Sequence, residues 1–162
     1  MSPVTELRSP EIRELQQLLQ SREHLCVSVS AWSVGMHIEH AALAIVRVLD
    51  ALAKSEPPAP PSRFSLPRFV VMLTGVIPRG RAKAPESTAP AESASLESLE
   101  ALIRDADQRL LSAQELNSES WMKHPVFGPL KRDAALRFIR IHTRHHLRII
   151  QSILRHSGDS SA

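Results

Sequence analysis

A strongly amphipathic segment near the C-terminus, residues 130 to 156, predicts a long α-helix with two histidines on its apolar side. His142 and His146 are four residues apart, and side chains at this spacing project from one face of a helix. Because burying imidazole among apolar groups costs free energy unless its nitrogens are satisfied, the pair predicts a bound partner such as a metal ion. The same stripe, which we expect to face the core, carries Phe138, Ile139, Ile149 and Ile153.

Three other segments show helical spacing of apolar residues, which gives four long helices and no predicted strand. We expect the second to be mostly buried, because only a narrow edge of it is polar. A chain of 162 residues is expected to form one domain, and an all-α four-helix bundle is its simplest architecture. The three segments are residues 10 to 25 with Ser9 as N-cap before Pro10, residues 33 to 54 with Ser33 as N-cap, and residues 95 to 115 with Ser95 or Ser98 as N-cap.

The stretch from residue 57 to residue 95 differs from the rest, since eight of the twelve prolines fall between Pro57 and Pro90. It predicts a long connection between the second and third helices, which could be a tolerated linker or, near a site, a lid or an ordered crossover, and we favour the ordered crossover. Within it, residues 69 to 73 predict a short helix over one end of the core. Residues 121 to 129 predict a turn-rich connection, and Gly158 is expected to end the last helix before a flexible tail, residues 157 to 162.

Composition excludes several classes of protein. The net charge is only +3, no run of five like charges occurs and aromatic residues make up 4%, which argues against a nucleic-acid partner. Cys26 is the single cysteine, so no intrachain disulfide is expected and a reducing compartment is indicated. The N-terminal residues lack a signal pattern and no stretch of 18 apolar residues occurs, so we expect a cytoplasmic protein without a membrane partner.

Five of the eight histidines lie in two clusters on predicted helices that should share a core. One histidine from the second helix and two from the last could form a three-nitrogen site with an open position for water or substrate, as in catalytic metal centres. The spacing leaves alternatives open, because both histidines of the first cluster and either pair in the second could point inward. The clusters are His37 with His40, and His142 with His145 and His146.

A metal with an open position can activate a water or a thiol, which corresponds to a hydrolase or a thiol transferase acting on a small molecule. The candidates for a catalytic base, or for orienting a ligand, are His37, His124 and His145. Glu39 falls on the polar edge of its helix, and Cys26 is expected to be a small core residue. The arginines of the last helix lie opposite its histidines and predict a solvated face. The alternatives are a metal-binding module without catalysis, such as a stress-response protein, and a bundle whose histidines bind nothing.

Two segments resemble motifs of the DinB-like superfamily. Trp32 and Ser33, followed after six residues by His40, resemble the W-S-x6-H opening of its second helix, and His142 with His146 resembles the H-x3-H of its last helix. The sequences HPVFGPL and IPRGRAKAP resemble one branch of the superfamily. The resemblance covers nearly the whole chain and implies a four-helix bundle with a long crossover between helices 2 and 3.

The resemblance also implies a divalent metal, Zn or Ni with Fe or Mn as alternatives, held by His40, His142 and His146. Relatives include low-molecular-weight-thiol transferases, mycothiol-dependent maleylpyruvate isomerases and proteins described as metal-dependent hydrolases, and many are homodimers. Many relatives carry Arg-Gly-Gln directly after the last ligand, where this chain has Leu147-Arg148-Ile149. The resemblance therefore implies the ligands, a low-molecular-weight thiol and a homodimer, but no particular substrate.

Overall fold

The structure, a computed structural model, describes residues 9–79, 86–91 and 94–159. This part of the chain is mostly helical, with one small two-stranded sheet. Its elements are α1 (Pro10–Gln17), α2 (Val34–Ala53), α3 (Leu66–Thr74), α4 (Leu96–Ser112), β1 (Trp121–His124), β2 (Gly128–Lys131) and α5 (Arg132–Asp159), with 3₁₀ turns at Leu18–Ser21, Glu86–Thr88 and Ala113–Glu115. None of the helices in these ranges combines the length and apolar character needed to span a bilayer.

The first helix is shorter than the predicted range of residues 10 to 25, because α1 ends at Gln17 and a 3₁₀ turn follows. The chain then leaves the helical path, and the carbonyls of Arg22 and His24 accept hydrogen bonds from the first N–H groups of α2. A Cβ at Gly35 would lie 3.1 Å from the carbonyl oxygen of Arg22, so this approach favours glycine. Leu25, which was predicted to lie on the apolar stripe, is 50% exposed.

The second and third predicted helices are confirmed as α2 and α4, each with one serine as its N-cap. Ser33 accepts a hydrogen bond from the N–H of Met36, and Ser95 accepts one from the N–H of Ser98. Ser95 is therefore the cap, and Ser98 is not. α2 is mostly buried as predicted. Leu111, expected on the stripe of α4, is 39% exposed.

The absence of strands was a wrong prediction, because residues 121 to 131 form an antiparallel hairpin that pairs Met122 with Leu130. Each strand has only four residues, too few for a clear alternation in the sequence. Gly128 opens β2 with a φ of 71°, which favours glycine. The hairpin is attached to the end of α2, since the N–H of Trp121 donates to Ser55 and its indole donates to the carbonyl of Glu56.

The last helix begins and ends later than the predicted range of residues 130 to 156. Its first two predicted residues belong to β2, and α5 continues through Gly158 to Asp159, so this glycine does not end the helix. The predicted flexible tail therefore begins inside α5, and residues 160 to 162 lie outside the described residues. The predicted short helix at residues 69 to 73 is confirmed within α3, although Val71 is its one buried residue.

α2 and α5 form the centre of the packing. α2 contacts both α4 and α5, α1 contacts the same two helices, and α3 lies against α5. This arrangement faces the middle of α5, which carries the predicted histidine pair, toward the N-terminal half of α2. The largest fully buried side chains are Ile12, Leu15, Leu19, Val34, Ile38, Ile45, Leu52, Leu99, Ile103, Leu130, Ile150 and Ile153.

A nearly buried carboxylate connects α1 with α5. Oε1 of Glu11 accepts hydrogen bonds from Nε of Arg140 at 3.1 Å and from Nε of Arg144 at 2.9 Å, and its side chain is only 9% exposed. Burial alone would raise the pKa of Glu11. Its own backbone N–H, the Ser9 hydroxyl and the two guanidinium groups outweigh that effect and lower the pKa. Part of the predicted solvated arginine face is thus paired with an acid.

Replacing Glu11 with Gln is expected to destabilise the protein at pH 7 by about 1.5–3 kcal/mol, because the hydrogen bonds from two guanidinium groups lose their charged acceptor. Because the pKa of Glu11 is lower in the folded protein than in the unfolded chain, its carboxylate stabilises the fold fully at pH values above the pKa of the unfolded chain. This stabilisation is lost as the pH falls through the pKa of the folded protein. The difference between E11Q and the unsubstituted protein in urea unfolding should therefore shrink as the pH falls from 7 to about 4. E100Q, which alters an exposed pair with Arg104, should cost at most about 1 kcal/mol.

Candidate metal centre

Three histidines from two helices converge in the interior, where the N-terminal half of α2 meets the middle of α5. His40 lies on α2, and His142 and His146 lie on α5, one helical turn apart. One ring nitrogen of each lies within 4.8 Å of the others. His40 and His146 are buried, and His142 is partly exposed. These residues, here called the three-histidine cluster, are grouped closely enough to hold one metal ion.

The orientation of His40 is fixed by the crossover. Its Nδ1 lies 2.7 Å from the carbonyl oxygen of Thr88, in the 3₁₀ turn Glu86–Thr88. A carbonyl can only accept, so in the neutral ring Nδ1 carries the hydrogen and Nε2 carries the free lone pair. That Nε2 lies 3.3 Å from Nε2 of His142. The ring nitrogen suited to ligation therefore points into the cluster, and a backbone group supports it from behind.

His146 is held by a chain of hydrogen bonds that ends in the loop before α2. Nδ1 of His146 lies 3.0 Å from Nδ1 of His37, and Nε2 of His37 lies 2.9 Å from Oγ of Ser30. If His146 offers Nε2 to a metal, its Nδ1–H must donate to His37. His37 then donates its Nε2–H to Ser30. Ser30 also accepts the N–H of Trp32, so its oxygen can accept both bonds.

An indole ring covers one side of the cluster. The ring centroid of Trp32 lies 5.3 Å from that of His37, 5.2 Å from that of His40 and 6.4 Å from that of His146. On the α5 side, the ring of Phe138 lies 5.5 Å from that of His142. These apolar walls limit the access of water to the imidazoles and position their rings by packing.

The histidines at the site are neutral at pH 7. Burial, with smaller effects from His40, His145 and His124, lowers the pKa of His142 to about 3. Burial also lowers the pKa of His40 and His146, although the hydrogen bond to Thr88 partly opposes the shift in His40. The nearby side chains in the described residues that lower the pKa values of His142 and His146 are all histidines. Neutral imidazoles have free lone pairs, which a metal ligand requires.

The three candidates for a catalytic base occupy different positions. Both ring nitrogens of His37 are hydrogen-bonded, to His146 and to Ser30. Nδ1 of His124 accepts the N–H groups of Val126 and Phe127, and burial lowers its pKa to about 4.

His145 donates to the backbone carbonyl of Ile77, and its ring centroid lies 5.1 Å from that of His146. The structure thus places His37 directly behind a cluster member, His145 beside one, and His124 at the end of β1.

Glu39 and Cys26, two further side chains considered in the sequence, make contacts of a different kind. The carboxylate of Glu39 accepts the N–H of Ala91 at 2.8 Å and so attaches the crossover to α2. Cys26 is partly buried, with its Sγ 3.2 Å from Oγ of Ser28.

The donor set fits a divalent transition metal. Three neutral imidazoles suit Zn, Ni, Fe or Cu. The Thr88 carbonyl fixes the tautomer of His40, and His37 is placed to accept the Nδ1 hydrogen of His146. The sequence reasoning missed the supporting groups, namely Ser30, the carbonyl of Thr88 and the indole of Trp32. Trp32 could have been found from the W-S-x6-H motif. Ser30 and Thr88 could not, because hydrogen bonds from loops leave no periodic pattern in a sequence.

Comparison with known proteins identifies the family. Neither a curated protein nor a solved structure shows significant similarity to this chain. The sequence model of the DinB superfamily matches residues 5–150, which is nearly the whole chain and includes every member of the three-histidine cluster. The chain belongs to the DinB superfamily.

Proposed function

We propose that this protein is a divalent-metal-dependent enzyme that transfers a low-molecular-weight thiol to an electrophilic small molecule. His40, His142 and His146 are the metal ligands, through Nε2 of each ring. The observation that carries the proposal is the convergence of three neutral imidazoles, of which His40 has its tautomer fixed by the Thr88 carbonyl, in a group that holds no carboxylate among the described residues. A divalent metal such as Zn or Ni supplies Lewis acidity there and lowers the pKa of a bound thiol.

The chain contributes orientation and exclusion of water. Thr88 holds the Nδ1 proton of His40, and His37 holds the Nδ1 proton of His146, so both rings keep their lone pairs directed inward. Trp32 and Phe138 shield the reacting groups from solvent. In the transfer, the thiol loses its proton to solvent and the sulfur electron pair forms a carbon–sulfur bond. The leaving group departs with the electrons of the bond that breaks.

The absence of a carboxylate from the cluster, among the described residues, favours thiol transfer over hydrolysis. Activation of water for hydrolysis usually needs a general base, and Glu39 is engaged with the backbone of Ala91. Both nitrogens of His37 are occupied, and His124 carries its hydrogen on Nε2, since Nδ1 accepts two N–H groups. A thiol would need no such base, because a divalent metal held by the three histidines would itself lower the pKa of a bound thiol.

We also propose that residues 1–162 form a single four-helix-bundle domain, in which α1, α2, α4 and α5 are the bundle helices and residues 57–95 are the crossover. The contacts of α2 and α1 with α4 and α5 support this arrangement. A homodimer in the cytoplasm stays a prediction, which chromatography with light scattering and fractionation of cells would test.

The test uses protein purified without a histidine tag and loaded with Zn²⁺ or Ni²⁺. It is incubated with 2-mercaptoethanol or cysteine and with 1-chloro-2,4-dinitrobenzene, from which chloride leaves as the thioether forms. We expect the loaded protein to accelerate thioether formation at least about tenfold over the metal-free protein, measured by mass spectrometry. Stoichiometric metal without acceleration would contradict thiol transfer and favour a metal-binding module without catalysis.

A further inference from the structure

We infer that the substrate or thiol taken by this site carries a second negative group, a carboxylate or phosphate, and that Arg79 and Arg148 bind it beside the three-histidine cluster. This inference rests on the proposed function and names the chemical class of its ligand.

The segment that follows α3 lies along the face of α5 next to the cluster. His145, Arg148 and Ser152 are three and then four residues apart, so they share one face of α5. His145 donates to the carbonyl of Ile77, Arg148 donates to the carbonyl of Gly75 at 3.4 Å, and Arg79 donates to Oγ of Ser152 at 3.4 Å. Both guanidinium groups therefore lie on the side of α5 that carries His145.

Both arginines lie near the cluster along α5. Arg148 is three residues after His145, whose ring centroid lies 5.1 Å from that of His146, and Arg79 bonds to Ser152 on the same face. Both arginines are exposed, and their hydrogen bonds within the described residues are long contacts to uncharged groups, so each retains most of its capacity to donate.

Nothing acidic in the described part of the chain neutralises these two arginines. Arg140 and Arg144 of the same helix are paired with Glu11, whereas no described carboxylate lies within salt-bridge distance of Arg79 or Arg148. Two unneutralised guanidinium groups beside a site are a common arrangement for recognising carboxylate or phosphate.

The total charge of the site leads to the same conclusion. Three neutral imidazoles leave the two charges of a divalent cation uncompensated, and Arg79 and Arg148 add two more. A partly dehydrated site with about four positive charges favours a ligand that brings more than one negative charge. A thiolate supplies one, and a carboxylate or phosphate supplies one or two more.

The experiment compares two thiols of matched size, 3-mercaptopropionate and 3-mercapto-1-propanol, by calorimetry on zinc-loaded protein. We expect the carboxylate to bind at least about tenfold more tightly, with a preference that weakens as salt rises. The double variant R79Q/R148Q should lose that preference and keep its affinity for the alcohol, while R79K/R148K should retain part of it. R13Q removes an exposed arginine on α1 and should change neither affinity. Metal analysis after each titration checks that the thiols have not removed the zinc.

Equal affinities for the two thiols, or a preference that persists in R79Q/R148Q, would overturn the inference. Succinate separates it from the proposed function. If neither thiol binds but succinate does, and R79Q/R148Q abolishes that binding, thiol transfer is wrong and the anion site stands. If neither thiol nor succinate binds to protein that retains its zinc, both are wrong.

Discussion

Protein in which His142 is replaced by Ala is expected to purify without stoichiometric metal. His142 faces Nε2 of His40 at 3.3 Å and is one of only three members of the cluster. Loss of a group that merely supports a ligand weakens metal affinity by about 10–100-fold, so loss of a ligand itself should cost more than about 100-fold. Metal content by mass spectrometry and titration with Zn²⁺ or Ni²⁺ measure the change.

The helix that carries His142 should survive the substitution. Alanine is a better helix former than histidine, and the rest of the buried stripe of α5 remains in place. Circular dichroism should therefore show little loss of helix. H24A, at an exposed histidine whose ring bonds to the carbonyl of Ser21, is the matched control and should bind metal normally. Stoichiometric metal in H142A would mean that the three histidines do not form the site proposed here.

The sequence was sufficient to predict the helices and the two histidines that α5 contributes to the site, because both depend on local periodicity. The spacing of His142 and His146 places them on one face of any helix, and the apolar residues beside them place that face in the core. Ser33 and Ser95 could be predicted as caps since a cap acts within three residues. These features require no knowledge of how distant segments meet.

The contribution of α2 to the site depends on contacts that periodicity cannot predict. His37 and His40 are both buried on α2, and their spacing gives no reason to choose between them. Hydrogen bonds from two loops distinguish them in the structure, because the carbonyl of Thr88 orients His40 whereas Ser30 binds His37. Only the resemblance to a known family indicated His40 in advance. The early end of α1 has a similar cause, because the chain turns there to cap the start of α2.

Replacing His37 with Leu is expected to weaken metal binding by about 10–100-fold, although His37 is not a proposed ligand. The hydrogen on Nδ1 of His146 must be accepted by His37 if Nε2 is to keep its lone pair. Leucine fills the buried space but accepts nothing, so His146 would lose the bond that fixes its tautomer and its ring orientation. Titration of metal-free protein with Zn²⁺ against a competing chelator measures the affinity.

Two further variants separate positioning from packing. H37N places an amide oxygen near the former Nδ1 position, where it can accept the same hydrogen, and it should recover part of the lost affinity. S30A leaves the imidazole of His37 in place but removes the acceptor for its Nε2–H, so its effect should have the same sign and be smaller. A simple packing role predicts the opposite order, because Leu would then preserve more affinity than Asn in this buried position. Wild-type affinity in both H37L and S30A would show that His146 needs no support from the loop before α2.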